Sequence, residues 1–80
     1  FKSKKIRFNN ICPGYVKTNM TEKSFKSKKR RKSIIERTIS NRFGETKDIV
    51  NAVIFLASQN SSYINGITLD VDGGYQVYGI

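Results

Sequence analysis

The residues that could do chemistry are concentrated in one stretch, ICPGYVKTNM, which contains the only proline and the only cysteine of this 80-residue chain and its first glycine. Pro13 has a fixed backbone angle and no N–H group, and Gly14 lets a ligand approach the main chain closely. The amides that follow, with the hydroxyl of Thr18, could then bind a carboxamide or a phosphate. A Pro-Gly pair after a strand can also be a simple turn, and both interpretations are open.

Other candidate catalytic groups are scarce. The chain has no histidine, which excludes the commonest general base and any Ser-His-Asp or Cys-His arrangement. Cys12 cannot form an internal disulfide, and we interpret it as a small buried apolar residue rather than a nucleophile. A metal site would have almost no ligands, so none is predicted. We interpret Asp72-Gly73-Gly74 as a turn that ends a strand rather than a metal or phosphate site.

Two strands and two helices are predicted around these residues. A first strand runs from about Ile6 to Cys12 and ends at Pro13-Gly14. Apolar residues at helical spacing predict a short helix from about Lys32 to Ser40 and a longer one from Thr46 to about Ser58. On the longer helix, the apolar side chains that share one face are Ile49, Val50, Val53, Leu56 and Ala57, called the apolar stripe.

The last strand is predicted over Ile67–Val71, after Gly66. Two strands separated by helices fit a parallel pair with a right-handed crossover. Two strands do not form a sheet that is stable alone. A chain of 80 residues, of which 38% are apolar, can also bury only a small core. The predicted fold class is therefore α/β, as an incomplete part of a larger parallel sheet.

The net charge of +9 is unevenly distributed, since residues 1–32 carry twelve of the fifteen basic residues. Seven of them lie in Lys23–Lys32, which has one apolar residue, Phe25. We interpret Glu22–Lys32, which includes this run, first as a mobile, solvated segment without a helix. Attraction of an acidic substrate, and a small basic module that binds nucleic acid, are the alternatives.

No membrane segment is predicted. The longest apolar run, Ala52–Ala57, has six residues, whereas a spanning helix needs about 20. The first residues lead into a strand and do not resemble a signal peptide. Phe1 looks like part of the end of a helix. With a single cysteine, a reducing cytoplasmic location is expected.

Three ordered stretches resemble the C-terminal third of the short-chain dehydrogenase/reductase family. The first is the strand ending in Asn-x-x-x-Pro-Gly with a threonine four residues later, within IRFNNICPGYVKTNM. The second is RFGETKDIVNAVIFLAS, an RFG turn and an amphipathic helix. The third is SYINGITLDVDGGY, the last strand. Together they cover nearly the whole chain.

The resemblance implies a Rossmann-type doubly wound parallel sheet, NAD or NADP as cofactor and a small-molecule substrate. Pro13 and Gly14 would shape the wall beside the nicotinamide. The backbone at Val16 would bond the carboxamide, and the hydroxyl of Thr18 would reach the carboxamide or the pyrophosphate. Residues 19–40 would contain the substrate lid. The last strand and the tail, residues 67–80, would lie at the contact of a homo-oligomer.

The family's Gly-rich loop, catalytic serine and Tyr-x-x-x-Lys pair all precede the region that this chain resembles. None of the four tyrosines has a lysine four residues later. We therefore predict no catalytic residue within residues 1–80 and expect the chain alone to be inactive, as a C-terminal fragment of a single Rossmann-type domain.

Overall fold

A computed structural model of the chain describes residues 6–78, except for the side chain of Ser24. The predicted helix end at Phe1 and the last two residues of the predicted interfacial tail lie outside this range. The described part contains two strands and three helices, with short 3₁₀ turns at Asn19–Thr21 and Gln59–Ser61. In chain order they are β1 (Asn10–Pro13), α1 (Glu22–Lys26), α2 (Lys28–Arg37), α3 (Thr46–Ala57) and β2 (Thr68–Val71).

The two strands pair in parallel, which confirms the predicted α/β arrangement. Asn10 lies opposite Thr68 and Pro13 opposite Val71. The N–H of Gly14 donates to the carbonyl of Val71 over 3.0 Å, so the pairing continues one residue beyond β1. The carboxyl ends of both strands therefore meet at one edge, where ligands bind in open α/β sheets.

Strand β1 starts later than predicted, because side-chain hydrogen bonds replace part of the backbone ladder before Asn10, where the N–H of Gly66 still donates to the carbonyl of Phe8 over 2.7 Å. The N–H of Phe8 donates to Asn65 Oδ1 over 3.0 Å. The amide of Asn9 donates to the carbonyl of Ile64 over 3.2 Å and accepts from the N–H of Ile67 over 3.1 Å. The chain before Asn10 is thus fixed to the loop before β2 without being a strand.

The prediction that Glu22–Lys32 lacks a helix is wrong. Helix α1 lies within this run and α2 begins in it, so the helix predicted over Lys32–Ser40 starts earlier and ends at Arg37. Lysine and arginine are good helix formers, and the N–H of Arg30 donates to Ser27 Oγ at the start of α2. The backbone leaves the helix at Thr38, and Asn41 follows with a φ of 61°.

Helix α3 matches its prediction to within one residue at its C-terminal end. Leu56 is buried, whereas Val50, Val53, Ile54 and Phe55 are exposed. Across residues 6–78 only three apolar side chains are buried, namely Ile34, Phe43 and Leu56. Much of the apolar surface of α3 is therefore not covered by the described part of the chain.

Candidate functional site

A cleft of 250 Å³ lies at the carboxyl edge of the two strands. Pro13 and Gly14 contribute to one wall, and residues that follow β2 contribute to the other. Its lining is Cys12, Pro13, Gly14, Tyr15, Asp72, Tyr75 and Gln76. The structure thus places the two predicted wall residues at the predicted edge. Cys12 is half-buried rather than buried, because it borders this cleft.

The turn after β2 is held by the carboxylate of Asp72. Oδ1 accepts from the N–H of Gly74 over 2.9 Å, and Oδ2 accepts from the N–H of Gln76 over 3.1 Å. Gly73 and Gly74 have positive φ angles of 63° and 88°, which disfavour other residues. This geometry is that of a turn, as the sequence indicated, with the carboxylate already occupied by backbone donors.

Val16 lies in a short parallel bridge with Gly44, just before α3. The N–H of Gly44 donates to the carbonyl of Tyr15, and the N–H of Lys17 donates to the carbonyl of Gly44, each over 2.9 Å. Within residues 6–78, the N–H of Val16 itself has no hydrogen-bond acceptor. Val16 borders a second hollow of 190 Å³, on the side of Arg42 and Asp48.

Thr18 is exposed and lies in neither of these two cavities. Its backbone N–H donates to Thr21 Oγ1 over 2.9 Å, and the Thr21 hydroxyl donates to the carbonyl of Val16. Thr21 therefore fixes the loop that carries both Val16 and Thr18. The sequence analysis missed this residue, although a threonine three positions after another is a recognisable backbone-bonding signal.

Arg42 and Asp48 hold the turn that bridges to Val16. Arg42 Nη1 donates to Asp48 Oδ2 over 3.0 Å and to the carbonyl of Phe43 over 3.0 Å. The N–H of Glu45 donates to the same Oδ2 over 2.7 Å. The hydrogen bond from Arg42, followed by the one from Glu45, lowers the pKa of Asp48 below its ordinary value. The pair keeps Gly44 in place against Val16.

Four aromatic rings connect the edge of the strands with α1. Tyr75 packs edge-on against Tyr15 with ring centroids 5.3 Å apart, and Tyr15 lies 6.2 Å from Phe43. Phe25 of α1 packs edge-on against Phe43 at 5.4 Å. This group, called the aromatic cluster below, fixes α1 beside the loop that contains Val16.

The donor groups of this loop fit a primary carboxamide. An N–H without an internal acceptor suits a carboxamide oxygen, and a threonine hydroxyl two residues later can accept from or donate to the same group. Among residues 6–78, no three histidine, cysteine, aspartate or glutamate side chains are grouped so that they could hold a metal ion. None of the described helices has both the length and the apolar character that crossing a bilayer requires.

A family model described as enoyl-(acyl carrier protein) reductase matches residues 1–76. The chain belongs to the short-chain dehydrogenase/reductase family. The 2-dehydro-3-deoxy-D-gluconate 5-dehydrogenase of Escherichia coli is 40% identical over 70 residues, which are 88% of this chain and 28% of that protein. This chain thus spans less than a third of the length of such relatives.

Solved structures of short-chain dehydrogenases give the same assignment. A gluconate 5-dehydrogenase from Burkholderia cenocepacia, in complex with NADP and tartrate, is 34% identical with a TM-score of 0.82, over 89% of this chain and 28% of that one. A 4-hydroxyisoleucine dehydrogenase complexed with NADH is 32% identical with a TM-score of 0.86, over 90% of this chain and 30% of that one. The two parallel strands and their helices are thus part of a Rossmann-type fold, which confirms the predicted fold class.

Proposed function

We propose that this chain is the C-terminal part of a longer NAD(P)-dependent oxidoreductase and that it forms the wall beside the nicotinamide. Pro13 and Gly14 shape that wall, Val16 donates its N–H to the carboxamide, and Thr18 adds its hydroxyl. The observation that carries this assignment is the N–H of Val16, which has no acceptor within residues 6–78. When bound, the nicotinamide accepts or donates a hydride, and these residues orient it.

Relatives support a small-molecule substrate. The Burkholderia enzyme is named a gluconate 5-dehydrogenase, and its structure contains NADP. The other solved relative is a dehydrogenase of 4-hydroxyisoleucine complexed with NADH. By analogy, this protein interconverts an alcohol and a carbonyl group of a small molecule, with NAD or NADP as the redox partner.

Helices α1 and α2, within residues 19–40, form the substrate lid in this proposal. Support comes from their position, because Phe25 packs on Phe43, next to the turn that bridges to Val16. The lid therefore begins at the loop that carries Val16 and Thr18, called the cofactor loop below. It returns to the edge of the strands, where the N–H of Ser40 donates to the carbonyl of Gly73 over 2.9 Å.

Strand β2 and the tail contribute to a homo-oligomer contact. Val77 and Tyr78 are both about half exposed, at 52% and 51%, although they are large apolar or aromatic residues. Such residues next to an unpaired strand edge are typical of a subunit interface. The same proposal includes a cytoplasmic location.

The chain alone is expected to be catalytically silent, because no tyrosine in it is followed by lysine at the required spacing. A tyrosine needs a nearby cation that lowers its pKa before it can act as an acid or base near neutral pH. The residues that move the proton therefore belong to the preceding part of the longer protein.

The nucleic-acid alternative for Lys23–Lys32 gains little from the structure. Binding of single strands needs aromatic rings on which bases can stack. The one aromatic residue of the run, Phe25, already packs against Phe43 and is half-buried. A basic module would bind DNA tightly and with a steep dependence on salt concentration, which a titration of labelled DNA at several salt concentrations would measure.

The main test is made on the complete protein encoded by the reading frame that contains these residues. It should bind NADH or NADPH, and the Thr18→Val variant should bind the same cofactor about 2- to 10-fold more weakly, as expected for one lost hydrogen bond. Thr18→Ser keeps the hydroxyl and is the matched control. A complete protein that binds neither cofactor would overturn the proposal, and equal binding by Thr18→Val would remove Thr18 from it.

A further inference from the structure

Three cations lie over the end rings of the aromatic cluster. Lys17 Nζ is 4.3 Å from the ring centroid of Phe25, and the guanidinium carbon of Arg31 is 5.6 Å from the same centroid. At the other end, the guanidinium carbon of Arg37 lies 4.6 Å above Tyr75. Each cation is held in place by a ring face, which attracts it without neutralising its charge.

No carboxylate among residues 6–78 lies within salt-bridge distance of Lys17, Arg31 or Arg37. The neighbouring acids are already paired, Glu22 with Lys26 at 2.6 Å and Glu36 with Lys32 at 4.0 Å. The carboxylate of Asp72 near Tyr75 is occupied by two backbone N–H groups. The protein therefore provides fixed positive charge here without an internal counter-charge.

These cations lie next to the proposed cofactor loop and the cleft at the strand edge. Lys17 directly follows Val16, and its ring partner Phe25 belongs to the first helix of the lid. Arg37 ends the second helix of the lid, and its ring partner Tyr75 borders the cleft at Gly14. Positive charge thus occurs where the lid meets the edge of the strands, at both ends of one rigid group of rings.

We propose that Lys17 and Arg31, the two cations over Phe25, bind an anionic group of a small-molecule substrate, either a carboxylate or a phosphate. This inference rests on the proposed function, because it assigns a substrate class to the same site. The ring faces reduce the loss of side-chain entropy on binding, since the two long cations above Phe25 are already positioned. The paired bases of the same helices, Lys26 and Lys32, contribute less, because each already has a carboxylate partner.

The test uses the complete protein and three probes in calorimetric titrations: succinate, inorganic phosphate and the uncharged dimethyl succinate. At least one anion should bind at least tenfold more tightly than the diester, and a comparison of the two anions identifies the preferred group. The Lys17→Met variant should weaken the binding of that anion at least tenfold. Lys17 is the best position, because its exposed side chain makes no hydrogen bond within residues 6–78.

Lys28→Met and Lys29→Met are matched controls, since they remove the same charge from exposed positions of α2 that touch no ring of the cluster. Both should bind the anion like the unchanged protein, and Lys17→Arg should restore binding. Failure of both anions to bind, or equal weakening by Lys17→Met and the two controls, would overturn the inference.

Binding of NADH or NADPH is measured separately on the same samples. If the unchanged protein binds neither cofactor, the proposed function is wrong. The anion titration is made without cofactor, so it still tests whether Lys17 binds an anion. Normal cofactor binding by Lys17→Met together with lost anion binding would support both.

Discussion

Gly14 and Asp72 are in direct backbone contact at the ends of the two strands. A Cβ built on Gly14 would lie 2.5 Å from the Cβ of Asp72 and 2.7 Å from its Cα. From the sequence, the glycine was expected to let a ligand approach the main chain. The structure shows that the group approaching it is the end of the neighbouring strand. The glycine therefore fixes the distance between the two loops that border the cleft.

Replacing Gly14 by alanine should destabilise the complete protein by about 1–3 kcal/mol, the usual cost of overpacking a site that cannot relax. The atoms in the way belong to the backbone and Cβ of Asp72, so a side-chain rotation cannot relieve the contact. Urea unfolding measures the change. Gly44→Ala is the control: its Cβ would lie 3.4 Å from Val16 and no closer to any atom beyond its chain neighbours, so this substitution should cost much less. Equal losses for both variants would contradict the argument.

Thr21 is predicted to position the cofactor loop. Thr21→Val removes the hydroxyl that bonds both the carbonyl of Val16 and the N–H of Thr18. Affinity for NADH or NADPH should fall about 2- to 10-fold, which corresponds to one hydrogen bond. Fluorescence titration with the reduced cofactor measures it. Thr21→Ser retains the hydroxyl and should restore the affinity; if it binds as weakly as Thr21→Val, the methyl group rather than the hydroxyl matters.

The Arg42–Asp48 pair predicts a defined pH dependence. The pKa of Asp48 is lowered in the folded protein, first by the hydrogen bond from Arg42 and then by that from Glu45. Its contribution to stability is therefore complete above the pKa of the unfolded chain, about 3.9, and is lost as the pH falls through the lower folded value. Asp48→Asn should thus be less stable than the unchanged protein at pH 7. Below the folded pKa of Asp48, the two proteins should be nearly equal in stability.

Urea unfolding of both proteins across this pH range tests the sign. Asparagine keeps one oxygen that can accept from Arg42 Nη1 and Glu45, so the substitution removes the charge and only the longer contact of 3.5 Å from Arg42 Nη2 to Oδ1. A stability difference that grows as the pH falls would show that the lowered pKa of Asp48 is not the cause.

Arg7 should contribute more to stability than an ordinary surface charge. Its guanidinium donates to the carbonyls of Leu56, Ser58 and Ile64 over 2.9, 3.3 and 3.1 Å, and the first of these lies in the last turn of α3. Arg7→Met removes three charge-assisted hydrogen bonds and a cation from the negative end of the helix, which should cost about 1–3 kcal/mol, although each carbonyl keeps a second donor from Ser61 or Asn9.

Lys47 provides the comparison for Arg7. Its salt bridge with Glu45 is 3.3 Å long but exposed, so Lys47→Met should cost well under about 1 kcal/mol in the same unfolding measurement. Equal costs for the two variants would mean that the carbonyl contacts of Arg7 do not stabilise the fold.

Local patterns were sufficient to predict α3 and the parallel strands. The stripe of α3 repeats at helical spacing, and the Pro-Gly and Asp-Gly-Gly sequences mark where each strand ends. Helix α1 could not be predicted in this way, because its one apolar side chain, Phe25, packs on Phe43, eighteen residues later. A stripe needs several apolar residues, whereas this helix is held by one distant ring and by the intrinsic propensity of lysine and arginine.

The candidate site was predicted only in part, for a similar reason. Pro13, Gly14 and Val16 belong to one motif, so their position at the strand edge followed from sequence. The roles of Thr21, Asp48 and Tyr75 depend on side-chain contacts made between segments or across a loop. The partner of Arg42 was also unassigned, although Asp48 lies only six residues away, because the turn between them had no predictable geometry.

The last prediction concerns the exposed apolar surface of α3. Val53 and Ile54 are 49% and 60% exposed in the described part of the chain, which is unusual for two adjacent apolar residues of an amphipathic helix. If the preceding part of the longer protein or a second subunit covers them, Ile54→Lys should have opposite effects in two contexts. It should make the isolated 80-residue chain more soluble, because it interrupts an aggregation-prone surface, and it should destabilise the complete protein or dissociate its oligomer.

Asn51→Lys is the matched control, because it adds the same charge to an exposed polar position of the same helix. Solubility of the isolated chain and the thermal unfolding and sedimentation of the complete protein are compared for both variants. Compared with Asn51→Lys, Ile54→Lys should raise the solubility of the isolated chain more. It should also lower the thermal stability of the complete protein more, or dissociate its oligomer. A complete protein that tolerates both substitutions equally would show that Ile54 faces solvent there as well, and the surface of α3 would then need no covering partner.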